Sequence, residues 1–152
     1  MNLLERLDGD MVKAAKARES ERLGVIRFVR SRIKNRQIEL QRDLKDEDVI
    51  EVLARIAKQH KESIEQFDSG GRDDVVERER RQLAVIEEYL PAQMNEEELS
   101  GILDEVIEET GAAGPRDMGT VMKAIMPRVK GRADGKKVKG MVTARLTGGD
   151  ED

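Results

Sequence analysis

Apolar residues recur at spacings of three and four along most of the chain, which is the period of an amphipathic helix. Leu3, Leu7, Met11 and Ala14 predict a first helix over about Leu3 to Arg18, with Gly9 inside it. Ser20 is placed as the N-cap of a second helix, about Glu21 to Leu40, whose apolar face is Leu23, Ile26, Val29, Ile33 and Leu40, with Phe28 nearby. Leu44-Lys45-Asp46-Glu47-Asp48 opens a third with acids in its first turn, where the helix dipole favours them. Val49, Leu53, Ile56, His60, Ile64 and Phe67 continue it until Gly70-Gly71. A fourth helix is predicted from about Asp73 to Leu90 on Val76, Leu83, Ile86 and Leu90.

Pro91 breaks the pattern. Asn95 as N-cap, Glu98 three residues on and Met94 stapling onto Leu99 start a fifth helix that runs to about Thr110 and stops at Gly111. Gly114-Pro115 begins a sixth, with Val121, Met122, Ile125 and Met126 as its stripe; Pro127 is expected to kink or end it, and Gly131 closes the segment. The seventh spans about Gly135 to Leu146 on Val138, Met141, Val142 and Leu146. No strand pair and no repeat of fixed period stand out. The expected fold is all-α: a four-helix N-terminal domain over residues 1–90, a small three-helix C-terminal bundle over 91–147, and a frayed acidic tail over 148–152.

Composition fits this picture. Charged residues are 39% of the 152, aromatics only 2%, and there is no Trp. An ordinary domain carries roughly 25% charged residues, so long solvated helix faces are expected and a β-sandwich is disfavoured. No apolar run approaches the roughly 20 residues of a membrane helix, and an acid at Glu5 comes too early for a signal peptide. A cytoplasmic protein is therefore the default expectation. With 0 Cys and a single histidine, His60, neither thiol chemistry nor a two-histidine metal site is available. No metal and no cofactor are expected.

The net charge of −4 argues against nucleic acid until it is resolved along the chain. Glu21 to Arg42 holds seven bases against two acids, a net +5. Pro91 to Gly114 holds seven acids and no base, a net −7. Pro115 to Leu146 holds nine bases against two acids, a net +7. Such a basic block is a candidate phosphate-binding face, and each phosphate it neutralised would make affinity salt-dependent. Lys123, Lys130, Arg132, Lys136, Lys137 and Lys139 are its candidate contacts, and Gly131 would let the backbone approach a ligand closely. Arg27, Arg30 and Lys34 form a secondary basic face. The plainer alternative is that these cations are solvated, some paired with the acidic helix before them.

The catalytic inventory is poor. Gly131-Arg132-Ala133-Asp134-Gly135-Lys136-Lys137 has one intervening residue too few for a phosphate-binding loop and follows no strand. His60 sits on an apolar stripe, where a packed boundary histidine is expected rather than a general base. Asp73-Asp74 and Glu87-Glu88 read as solvated or cap charges, and the methionines as core. No catalytic residue is assigned.

Two segments carry a family resemblance. Asp117-Met118-Gly119-Thr120-Val121-Met122-Lys123 and Val129-Lys130-Gly131-Arg132-Ala133-Asp134-Gly135-Lys136 resemble the GatB/YqeY family. Leu90-Pro91-Ala92-Gln93-Met94, Ser63-Ile64-Glu65-Gln66-Phe67 and Arg32-Ile33-Lys34-Asn35 resemble its free-standing YqeY-like branch. In that family a similar module forms the tail of the B subunit of the tRNA-dependent amidotransferase. The resemblance thus implies binding of tRNA or other structured RNA, favours Gly119, Lys123, Lys130, Gly131 and Arg132 as contacts, and suggests an amidotransferase or aminoacyl-tRNA synthetase as protein partner. The family label of carbon–nitrogen ligase with glutamine as amido donor would describe the complex, since this chain lacks the catalytic parts. The expected function is a non-catalytic accessory module that binds RNA; the alternative is an adaptor that docks on a synthetase, an amidotransferase or itself.

Overall fold

The computed structural model describes residues 1–148; of the tail expected over 148–152, all but Gly148 lies outside the described residues. Among the described residues there are seven α-helices, one 3-10 turn and no strand, so the all-α expectation stands. The chain divides into two compact units, Met1–Leu90 and Pro91–Asp152.

The first unit contains α1 (Leu3–Lys16), α2 (Ser20–Leu40), α3 (Asp46–Ser69) and α4 (Asp73–Glu87). Its core joins Leu7 of α1, Ile26, Val29 and Ile33 of α2, Val49, Leu53 and Ile56 of α3, and Leu83 and Ile86 of α4. Each fully buried side chain of this size contributes about 1.5–3 kcal/mol through removal from water.

The elements depart from the predicted ones mainly at their ends. Ser20 is the first helical residue and not the cap; Glu19 takes the cap position, after a turn in which Arg18 is left-handed at φ 59°. The fourth helix stops at Glu87, short of Leu90: Tyr89 and Leu90 bond back three residues, to Ile86 and Glu87, which tightens the chain before Pro91. Phe28, expected near the apolar face, is 40% exposed. Of the acids opening α3, Asp48 closes the cap, while Asp46 accepts the Leu3 N–H. Asp48 accepts the Lys45 N–H and a two-pronged bond from Arg42, which holds its carboxyl down at about 2.

Tyr89, the only tyrosine of the chain, is buried among these helices. Its hydroxyl donates to the Asp10 carboxylate at 2.5 Å, and the Arg6 guanidinium lies 4.6 Å from its ring centre. Burial, then Asp10, push the phenol up to about 12. The folded value exceeds the unfolded one of about 10. The contribution of Tyr89 to stability is therefore intact below about pH 10 and is lost as pH rises through the folded value. In an alkaline titration followed by tyrosinate absorbance and circular dichroism, ionisation should coincide with unfolding. Ionisation near pH 10 in a still-folded protein would contradict this placement. Tyr89→Phe should remove the step and lower stability at neutral pH by about 1 kcal/mol.

The second unit contains α5 (Glu96–Thr110), a 3-10 turn (Pro115–Asp117), α6 (Met118–Val129) and α7 (Gly135–Leu146). Leu99, Leu103 and Val106 of α5, Val121, Ile125 and Val129 of α6, and Val138, Val142 and Leu146 of α7 form its core. Asn95 caps α5 by accepting the Glu98 N–H at 2.8 Å, as its spacing predicts. One expectation changes here and another, that Pro127 kinks or ends its helix, is narrowed. Pro115 opens a 3-10 turn and not the helix itself, because the Asp117 carboxylate draws in the Ala113 and Gly114 N–H groups. These two bonds hold the Asp117 carboxyl below its ordinary value. Pro127 does not end α6, which runs on to Val129. It sits on the exposed side near the helix end, where the carbonyl it leaves unbonded can face water.

Candidate nucleic-acid interface

The basic block of the second unit is sorted by the structure into three groups. The first is neutralised by acidic α5. Arg128 pairs with Glu105 at 3.0 Å and approaches Glu109 at 3.9 Å; Lys137 lies 3.4 Å from Glu96; Arg145 bonds Asp104 and Ser100. The long acidic run before the basic block therefore has a structural partner in it.

The second group holds the backbone in place. Gly131 is buried with φ 78°, a left-handed conformation that glycine adopts without strain. Its carbonyl accepts from the Gln93 side-chain amide at 2.9 Å. The Arg132 carbonyl accepts the Met94 N–H at 2.8 Å, and the Arg132 Nε donates to the Ala92 carbonyl at 2.9 Å. Three bonds thus clamp residues 92–94, leading into α5, onto the turn after α6. Asp134 completes this turn by capping α7 through the Lys136 N–H.

The third group faces water. Lys123, Lys136 and Lys139 are exposed and carry no ion pair among the described residues. Thr143 Oγ1 lies 3.7 Å from Met118 Sδ, and a Cβ on Gly135 would lie 3.8 Å from Met126 Cε. The two helices therefore run antiparallel, and this register brings Lys123 level with Lys139. Gly119 stands one turn before Lys123 on the same face of α6, and Gly140 one turn after Lys136 on α7. A Cβ on either glycine would meet nothing within 4 Å, so neither is required by internal packing. Lys130 is exposed at the C-cap of α6. Sequence reasoning missed Gly140; its signal was the four-residue spacing from Lys136.

The secondary face lies in the first unit, on α2. Arg27, Arg30 and Lys34 line a shallow groove of about 520 Å³ together with Met11, Ser31 and Gln37. Arg30 Nε lies 2.6 Å from Asp8, close enough to pair though not aligned as a hydrogen bond. Most other arginines of α2 and its end are also engaged: Arg22 with Glu88, Arg36 with Glu39 and Glu51, Arg42 with Asp48. The charge of this helix largely ties the four-helix unit together.

Comparison with known proteins finds several relatives named "Altered inheritance of mitochondria protein 41, mitochondrial". The Pyrenophora tritici-repentis protein is 28% identical over 151 residues, covering 94% of this chain and 82% of the relative. The Kluyveromyces lactis protein is 36% identical over 95 residues, 60% of this chain and 51% of the relative. The Saccharomyces cerevisiae protein (strain YJM789) is 33% identical over 85 residues, 55% of this chain and 46% of the relative. The matches to the two yeast proteins thus span about half of each. These names overturn the cytoplasmic expectation, since the relatives are called mitochondrial. No helix of the described residues is long and apolar enough to cross a membrane. The Yqey-like protein family matches residues 4–146, nearly the whole chain, and the chain therefore belongs to that family.

Proposed function

We propose that this helical accessory protein binds tRNA, or a similarly folded RNA, through the exposed face of α6 and α7. The observation that carries the reading is the set Lys123, Lys136 and Lys139. They remain without ion pairs among the described residues, while Arg128, Lys137 and Arg145 are taken up by α5. Gly119 and Gly140 beside them leave the helix backbone uncovered, so a phosphate chain can approach closely. The unit offers no aromatic stacking platform, since Phe28, Phe67 and Tyr89 all belong to the first unit. Recognition then rests on phosphates and shape rather than on splayed bases.

The likeness of the α6 and α7 motifs to the tail of the amidotransferase B subunit supports tRNA as the RNA and a tRNA-dependent amidotransferase as the associated enzyme. The chain itself would position RNA and perform no bond-making step. On the likeness to the fungal relatives, a mitochondrial setting is the one to examine first. Binding of tRNA to the full chain at several salt concentrations tests the proposal. The logarithm of the affinity should fall linearly with log salt, with a slope near 2–3 for three phosphate contacts at ~0.7–0.9 each. Absent binding, or binding indifferent to salt, would remove the proposal.

A further inference from the structure

A cavity of about 500 Å³ opens in the first unit between α2 and the α3–α4 hairpin. That volume lies within the range of small-molecule sites, roughly 300–1,000 Å³. Three of its features stand apart from the basic character of α2.

The first is Gly24, in the second turn of α2 and in the cavity wall. A Cβ there would meet nothing within 4 Å, and its φ is not left-handed. A helical glycine costs about 1 kcal/mol against alanine, and here neither packing nor backbone geometry calls for one. It leaves the α2 wall of the cavity without a side chain at this position.

The second is an apolar lining. Val25 and Ile86 are buried, and the Phe28 ring is 40% exposed on the same cavity. The Arg32 guanidinium lies over this ring, 4.9 Å from its centre, so one face of it already carries a cation.

The third is charge. No Lys or Arg lines this cavity, whereas both shallow grooves elsewhere along α2 are lined by Lys34 with Arg27 and Arg30 or with Arg42. Of its two carboxylates, Glu21 is held by Arg81 at 2.9 Å. Glu79 is different. Its side chain is only 20% exposed, and its ion-pair contact among the described residues is His60 Nε2 at 3.5 Å. An imidazole carries charge only when protonated. The ring is fixed by the Ile56 carbonyl on Nδ1 at 3.0 Å and by Gln82 Oε1, 3.3 Å from Nε2. Glu79 is thus a partly buried carboxylate beside apolar side chains, paired with a histidine and not with a lysine or arginine. Such a group is costly to desolvate alone and attracts a cation more strongly than a surface carboxylate does.

We propose that this cavity binds an aliphatic chain ending in a guanidinium or ammonium group. The cation rests on Glu79, and the methylenes lie against Val25, Phe28 and Ile86. The group belongs either to a free amine or to an arginine or lysine side chain of a peptide. Phosphate-bearing ligands are repelled by Glu79, so this site is independent of RNA binding.

The test is a magnetic-resonance titration of the isotope-labelled full chain with agmatine and, separately, with a capped Ala-Arg-Ala tripeptide. Saturable shifts at the amides of Gly24, Ser63 and Gln82 with either probe are expected. Agmatine binding the more tightly identifies a free amine as the ligand type, and the tripeptide a peptide side chain. Glu79→Gln should weaken binding at least tenfold while leaving the thermal melt within a few degrees. Gly24→Leu should fill the cavity and abolish binding; Gly24→Ala, which only raises helix propensity, serves as its folding control. The proposal is overturned if neither probe shifts those amides, if Glu79→Gln binds as tightly as the parent chain, or if glutarate produces the same shifts.

Discussion

Replacing Lys123, Lys136 and Lys139 together by glutamate lowers tRNA affinity roughly a hundredfold or more, at about 1 kcal/mol or more per lysine. The cause is electrostatic. A cation without an intramolecular partner gives up only hydration when it meets a phosphate, and it releases a condensed counterion. A cation already held by a carboxylate must first break that pair. Arg128, Lys137 and Arg145 are so held by Glu105, Glu96 and Asp104. Arg128→Gln is therefore expected to leave tRNA affinity within about twofold of the parent chain, although it removes one charge just as Lys123→Gln does. The triple variant should also flatten the salt dependence, by about one unit of slope for each lysine–phosphate pair it removes. All three lysines are exposed, so folding is spared, and circular dichroism will confirm it. Equal losses of affinity from Arg128→Gln and Lys123→Gln would show that only bulk charge matters and that the sorting of the basic block has no functional meaning.

The second large effect is on stability. Gly131→Ala forces a Cβ into a buried left-handed turn, at roughly 1–2 kcal/mol for the backbone alone. Arg132→Ala removes the guanidinium from the Ala92 carbonyl, and a bond to a charged donor is worth about 1.5–3 kcal/mol; partial exposure here puts it at the lower end. The two residues share one clamp, so their effects will not add. Chemical denaturation of each single variant and of the pair measures this directly. Arg132→Ala is further expected to keep parent-like tRNA affinity at temperatures where it is fully folded. An Arg132→Ala protein of unchanged stability but weakened tRNA binding would reverse the assignment, making this arginine a phosphate contact and not part of the clamp.

That clamp shows where reading the sequence reached its limit. A glycine between two cations fits a close approach of ligand to backbone, and it equally fits a left-handed turn. Both need glycine, and only the fold separates them. The helices were far more legible, because burial imposes a period: Ile26, Val29 and Ile33, or Leu99, Leu103 and Val106, mark their faces whatever the tertiary arrangement. The ends were less so. Ser20 has the chemistry of a cap, yet the turn around Arg18 shifts the helix start by one residue. The charge blocks could be counted from the sequence, but their pairing could not. Which bases meet Glu96, Asp104 and Glu105 depends on how α5 packs on α6 and α7. The cavity beside Glu79 left one trace, a helical glycine with no role in a turn, and that trace acquires meaning only when the space around Gly24 is known. The cytoplasmic expectation had no positive signal behind it in the sequence, and the names of relatives overturned it.

Everything proposed about RNA depends on its meeting this chain at the exposed face of α6 and α7. Photocrosslinking of bound tRNA to the full chain, followed by mass-spectrometric mapping of the attached peptides, locates that meeting directly. Adducts are expected on the segments holding Gly119 to Lys123 and Lys136 to Gly140. Adducts confined to the α2 face of Arg27 and Lys34, or to the α5 side of the second unit, would contradict the proposed interface.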